Sequence, residues 1–123
     1  MVGMRIYEVP RVDWRRDLDW FTSAHEGWLV SIEIFGPSLG AQPEIDNLPL
    51  LGVSADHVNY DGSIAISVAR SAVDHFTHVV HGVSRIVIDQ MHDGTNAGLL
   101  IDSTDGTRTV LKLRAMAALS AGA

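Results

Sequence analysis

Cysteine is absent from the 123 residues. That excludes disulfide frameworks, thiolate zinc sites, iron–sulfur clusters and cysteine nucleophiles. Long hydrophobic runs are missing too. No stretch approaches the ~18 apolar residues that a membrane span needs, and residues 1–10 lack the apolar segment of a secretory signal. A cytoplasmic location without membrane association is the expectation. Positive charge is scarce, with 9 Lys+Arg against 15 Asp+Glu and a formal net charge of −6. Nucleic-acid binding draws much of its affinity from cations set on phosphates, so this balance disfavours a nucleic-acid partner. Arg11, Arg15 and Arg16 do cluster, but Asp13, Asp17 and Asp19 lie among them. That pattern reads as a solvated, salt-bridged helix face.

Several motifs are also missing. Neither G-x-x-x-x-G-K-[ST] nor G-x-G-x-x-G occurs, so no phosphate-cradling loop is encoded. There is no G-x-S-x-G nucleophile elbow. The carboxylate pairs Glu44/Asp46 and Asp102/Asp105 do not have the spacing of a calcium loop. No cofactor is expected.

What is present is a globular balance, 46% hydrophobic and 20% charged. The length suits one domain over 1–123, with an ordered core over about 5–114 and a small apolar tail at 115–123. Residues 7–10 read as an extended lead-in. Trp14, Leu18 and Phe21 recur at helical spacing and predict an amphipathic helix over 12–24, with Pro10 before it and Gly27 to end it. From Trp28 the period changes to two. Trp28, Val30, Ile32 and Ile34 fall on one side of a strand over 28–35, and Leu29, Ser31, Glu33 and Phe35 on the other. Residues 36–47 carry Pro37, Gly40, Pro43 and Asn47 and read as a loop. Further strands are predicted over 48–55, with a bulge at Gly52, and over 63–69. Residues 76–81 and 85–91 read as a hairpin around Gly82, and 97–103 and 107–114 as another around Asp105-Gly106. Turns are expected at Asp61-Gly62 and at His92-Asp93-Gly94. The fold class is therefore α+β: an N-terminal amphipathic helix on a curled, mostly antiparallel sheet of six or seven strands, or a small barrel.

One cluster invites a chemical reading. Asp74, His75, His78 and His81 sit within eight residues, and three histidines at three-residue spacing on a helix could grip a metal ion. On a strand, however, His75 and His81 point one way and His78 the other, with the outer two ~20 Å apart. Thr77, Val79 and Val80 favour the strand. No metal site is expected, and the reading favours a half-buried His78 beside Phe76 and Val80. An acid–base role for Asp74 with His75 or His78 would need a nucleophile from Ser54, Ser63, Ser67 or Thr77. Trp14 and Trp28 read as core. Trp20 falls off the Trp14/Leu18/Phe21 stripe and reads as exposed, a candidate contact for a second copy or another protein.

The chain resembles a small bacterial protein family catalogued only as a domain of unknown function. Val9-Pro10 with Trp14, Phe21, and His25-Glu26-Gly27-Trp28 carry the first part of the likeness. Phe35-Gly36-Pro37, Gly40-Ala41-Gln42, Leu48-Pro49-Leu50 with Gly52, and Ser54-Ala55-Asp56 carry the middle. Asp74-His75, Thr77-His78 and Asp105-Gly106-Thr107 complete it, so that it spans about 5–114. The resemblance implies no activity, cofactor or site. A looser likeness of element order to Sm-like and other SH3-type barrels is analogy only.

Three readings follow. The first is a non-enzymatic cytoplasmic module that self-associates, as a dimer for choice, or presents a surface to a protein partner. The second is a metal-assisted or acid–base enzyme using Asp74, His75 and His78. The third is RNA binding by an Sm-like barrel, which the net charge opposes.

Overall fold

The computed structural model describes residues 4–37, 40–55, 62–91 and 96–115. The elements run β1 (Met4–Glu8), a 3-10 turn (Arg11–Asp13), α1 (Trp14–His25), β2 (Leu29–Gly36), β3 (Gly40–Ala55), β4 (Ile64–Ala69), β5 (His75–Val80), β6 (Val83–Met91), β7 (Asn96–Ser103) and β8 (Arg108–Arg114). The strands form one open antiparallel sheet in the order β1-β6-β7-β8-β2-β3-β4-β5. Of the expected turn at Asp61-Gly62 only Gly62 is described, at φ +75°; the turn at 92–94 and the tail at 116–123 lie outside the described residues.

This order fixes the shape. β6 is second and β5 last, six strand positions away. In a flat sheet that is ~29 Å at ~4.8 Å per strand. Yet only His81 and Gly82 separate Val80 from Val83, and three Cα steps of 3.80 Å reach at most ~11 Å. The sheet must therefore curl until its ends approach. The bonds from the Val83 amide to the Gly62 carbonyl (3.3 Å) and from the Thr104 amide to the Gly82 carbonyl (2.8 Å) hold the crossing. At Gly82, φ is +61° and a Cβ would lie 2.9 Å from Thr104 Oγ1, so the crossing needs glycine on two counts.

Curling gathers the inward side chains into one core. It comprises Val30 and Ile32 from β2, Leu50 and Val53 from β3, the alternating Ile64, Ile66 and Val68 of β4, and Ile86, Ile88, Leu99, Ile101, Leu111 and Leu113 from β6 to β8. The helix docks against β3. Its buried stripe is Trp14, Leu18, Phe21 and His25. Trp14 Nε1 donates to the Val9 carbonyl at 3.0 Å. Thr22 Oγ1 clamps the helix to β3, donating to the Val53 carbonyl and accepting from the Val53 amide, both at 2.9 Å. Gly52 allows that approach, since a Cβ there would lie 3.3 Å from the Thr22 methyl. Gly27 ends the helix at φ +85°, and its amide bonds the Leu50 carbonyl at 2.9 Å.

Five expectations change. The α-helix starts at Trp14 because residues 11–13 form a 3-10 turn. There are eight strands among the described residues, because β1 starts ahead of the lead-in, overlaps it at Tyr7 and Glu8, and pairs with β6. The sheet remains open, so the small-barrel alternative does not hold. Residues 40–47 are not a loop but the first half of β3, paired with β2. Pro43 and Pro49 fit there because β4 joins β3 only from Leu50 onward, so a missing amide breaks no ladder on the free side. Finally, β5 and β6 are not a hairpin: β5 pairs with β4, and β6 with β1 and β7. Gly82 is a crossing point rather than a hairpin turn.

The clamp is testable. Thr22→Val keeps the shape but leaves the Val53 amide without its hydroxyl partner, and should lower unfolding free energy by about 1–3 kcal/mol in urea titration. Val12→Ala, at a side chain 90% exposed, should change it by less than about 0.5 kcal/mol. Equal effects would contradict the docking.

Candidate functional site

The histidine cluster is dispersed by its strand. β5 pairs residue by residue with β4, with His75 opposite Ala69 and His78 opposite Ile66. His75 is exposed, and His78 shares the inner side with half-buried Phe76 and buried Val80. The nearest carboxylate oxygen to His78 Nδ1 is that of Glu44, at 3.8 Å, too far for a hydrogen bond. Asp74 is exposed, and its carbonyl accepts from the Arg70 and Ser71 amides. His81 Nδ1 lies 3.1 Å from Ser63 Oγ, but Ser63 is buried and presents no hydroxyl to an incoming substrate. Ser67 and Thr77 bond each other at 2.9 Å. Among the described residues, no three His, Asp or Glu side chains converge to hold a metal ion. No helix among them is long and apolar enough to cross a membrane.

Trp20 is 46% exposed. It lines an open cleft of about 500 Å³ with Tyr7, Asp17 and Gln90. Asp17 is already engaged by Arg16 at 3.1 Å, and Arg16 also reaches Asp13 at 3.2 Å. Behind Trp20 lies the last buried residue of the helix stripe, His25. Its Nδ1 is 2.7 Å from the Phe21 carbonyl. A carbonyl only accepts, so Nδ1 carries the proton in the neutral ring. Edge-on contacts to Trp20 (6.1 Å) and Trp28 (4.6 Å) and a tilted one to Phe21 (4.3 Å) enclose it. Burial pushes the imidazole below its ordinary pKa, against the smaller upward pull of the Phe21 carbonyl.

The outer face of the sheet carries a different arrangement. Register sets Val87, Leu100 and Val110 in one row across β6, β7 and β8. All three are half-buried on the side away from the core. Glu8 flanks this row from β1, and Ile6, 61% exposed, stands opposite Asp89 in the row beside it. In the next row Gly98 sits between Asp89 on β6 and Lys112 on β8. Without a side chain at Gly98, a depression of about 290 Å³ opens over the sheet, lined by Ile6, Val87, Leu100, Val110, Asp89 and Lys112. Asp89 Oδ1 is buried and has no hydrogen-bond partner among the described residues. Lys112 Nζ reaches Glu33 at 3.6 Å and stays 72% exposed. In the row on the other side of Val87, Leu100 and Val110, Asp102 is held by Arg108 (2.7 Å) and Arg85 (3.3 Å), and Arg85 also bonds Glu8 at 2.7 Å. The Arg108 bond, supported by Arg85, holds the Asp102 carboxyl below the usual carboxylate range.

The outer row left a signal in the sequence that alternation alone passes over. Ile86-Val87-Ile88, Leu99-Leu100-Ile101 and Val110-Leu111 are consecutive apolar runs inside strands. A sheet with one wet face should alternate there, and unbroken runs mark strands covered on both faces.

Fold and surface together define an α+β protein: one helix on an open, curled, antiparallel sheet, with an apolar row on its outer side. The chain belongs to the family of unknown function DUF5335, whose model matches residues 5–121. Comparison with curated proteins and with solved structures gave no match.

The buried imidazole generates a pH prediction. His25 has its pKa lowered in the fold, so the unfolded chain binds the extra proton first as pH drops through about 6.5. Stability is thus fully present above that value and declines as pH falls toward the folded pKa. His25→Gln should therefore be most destabilising at pH 7.5, and its cost should shrink by pH 5.5. Urea unfolding of both proteins across that range measures this. A pH-independent difference would refute the role of His25.

Proposed function

We propose that the protein is a non-enzymatic docking module that self-associates through the outer face of β1, β6, β7 and β8. The observation that carries this reading is the in-register row Val87, Leu100 and Val110, with exposed Ile6 diagonal to Val87, on a sheet side that no element of the described chain covers. An antiparallel sheet with one solvated face ordinarily puts polar residues there. A contiguous apolar patch with a polar rim is the anatomy of an interface, and here the rim is Glu8, Arg85, Asp102 and Arg108 at one end and Lys112 with Glu33 at another. The scatter of Asp74, His75 and His78 supports the non-enzymatic half, because acid–base chemistry needs groups within hydrogen-bond reach of one substrate.

Light scattering on a concentration series should give a mass rising above the 13.3 kDa of one chain toward twice that value. Leu100→Asp, placed in the middle of the row, should hold the mass at that of one chain while leaving the far-UV spectrum unchanged. A wild-type protein that stays monomeric at high concentration would remove the reading.

A further inference from the structure

We propose that the uncharged segment 116–121 folds back across the concave side of the sheet and seats Leu119 in the cleft between α1 and the β1/β6 end, against Trp20. This goes beyond self-association, because it concerns the side of the sheet opposite to Leu100.

The segment leaves the sheet beside that cleft. Leu111 and Leu113 of β8 point inward and are buried, while Lys112 and Arg114 point outward and are exposed. Ala115 follows on the inward side and is half-buried. Arg114 stands opposite Leu29, so Ala115 comes level with Trp28. From Trp28 an aromatic wall runs to the cleft: the His25 ring meets Trp28 edge-on at 4.6 Å and Trp20 edge-on at 6.1 Å. Across the sheet, Leu113 is opposite Ala97, and Ala97 is opposite Gln90, which lines the cleft. Two strands across and two residues along put Ala115 roughly 12 Å from Gln90. Leu119 lies four Cα steps beyond Ala115 and reaches up to ~15 Å. The cleft is therefore within reach without unpairing β8.

The chemistry of the two surfaces matches. Met116-Ala117-Ala118-Leu119-Ser120-Ala121 carries no charge, and Met116 and Leu119 are its long side chains. The cleft presents Trp20, 46% exposed, and Tyr7. The carboxylate that lines it, Asp17, already has Arg16 as counter-ion at 3.1 Å. A neutral occupant leaves that ion pair in place, whereas a cation would compete with Arg16. Covering Trp20 with leucine removes apolar surface of both from water, and a thioether beside an aromatic ring, as for Met116 near Trp28, is a favourable contact. The outward course offers less, since it lays the segment along exposed, charged Arg114 and Lys112. The family's pattern also includes the segment: it runs to residue 121, past the end of β8 at Arg114.

The test uses the full chain, whose lack of cysteine lets pairs be introduced cleanly. In dilute protein, a short bismaleimide should bridge Leu119→Cys to Gln90→Cys within one chain at least about tenfold faster than Leu119→Cys to Lys112→Cys, although Lys112 is much the nearer in sequence. Independently, Leu119→Asp should move tryptophan emission to longer wavelength and raise its quenching by acrylamide, and both changes should vanish in a Trp20→Phe background. The mass by light scattering should not respond to Leu119→Asp. Equal bridging of the two cysteine pairs, or emission indifferent to Leu119→Asp, overturns the proposal and leaves self-association standing. Loss of self-association in Leu119→Asp places the segment at the outer face and overturns it too. If Gln90→Cys fails to fold, the emission arm decides alone. A wild-type monomer removes the self-association reading without touching this one.

Discussion

Two residues govern the architecture. His81 and Gly82 join strands that stand six positions apart in the sheet, and a chain that short cannot cross a flat sheet of that width. Curling is therefore a geometric necessity. It gives every strand an inner side that shares one core and an outer side that shares none. The helix only partly fills the concave side, docking against β3 through Thr22 and the tight approach at Gly52. The same curl leaves the convex side of β1, β6, β7 and β8 without an intramolecular partner among the described residues.

β3 shows how the curl is accommodated along a strand. Its first half pairs with β2 and its end with β4. Between them, register shifts and a positive φ of 52° at Asn47 break the regular pleat. Bulges of this kind bend a strand and increase its local twist. The Ser31 hydroxyl accepts from the Asn47 amide at 3.1 Å, and Asn47 Oδ1 accepts from Arg114 at 2.8 Å. The strained residue is thus tied to both β2 and β8.

The fold was legible in the sequence where side-chain period and burial coincide. Ile64, Ile66 and Val68 declare β4 by strict alternation, and Trp14, Leu18 and Phe21 declare the helix by their spacing. It was illegible where pairing partners, rather than side chains, make the strand. β1 has mixed character and is a strand because β6 lies beside it. Residues 40–47 contain glycine and two nearby prolines, and remain extended because only one flank is bonded. Gly82 carries the same local signal for a hairpin as for a crossing, and only the long-range order distinguishes them. The outer row fell between these cases. Its residues were visible as unbroken apolar runs, but their alignment into one surface depends on the register of three strands.

The exposed parts of the sheet differ in how well they are guarded. An open sheet has two free edges, and free edges invite pairing with other chains. Here both are short: five residues in β1 and six in β5. β5 runs straight into the crossing at His81-Gly82, so its own chain blocks continuation past that end. Of its outward residues His75 and Thr77 are polar, and Val79 is the one exposed apolar group. No such guard stands over Val87, Leu100 and Val110, where polar residues would have been free in energetic terms. The asymmetry is physical: edges are blunted by length and composition, while the centre of the convex face keeps apolar groups that gain only if something covers them. The exposed apolar row of the described residues thus lies on the face of β6, β7 and β8, not on an edge or on the histidine strand.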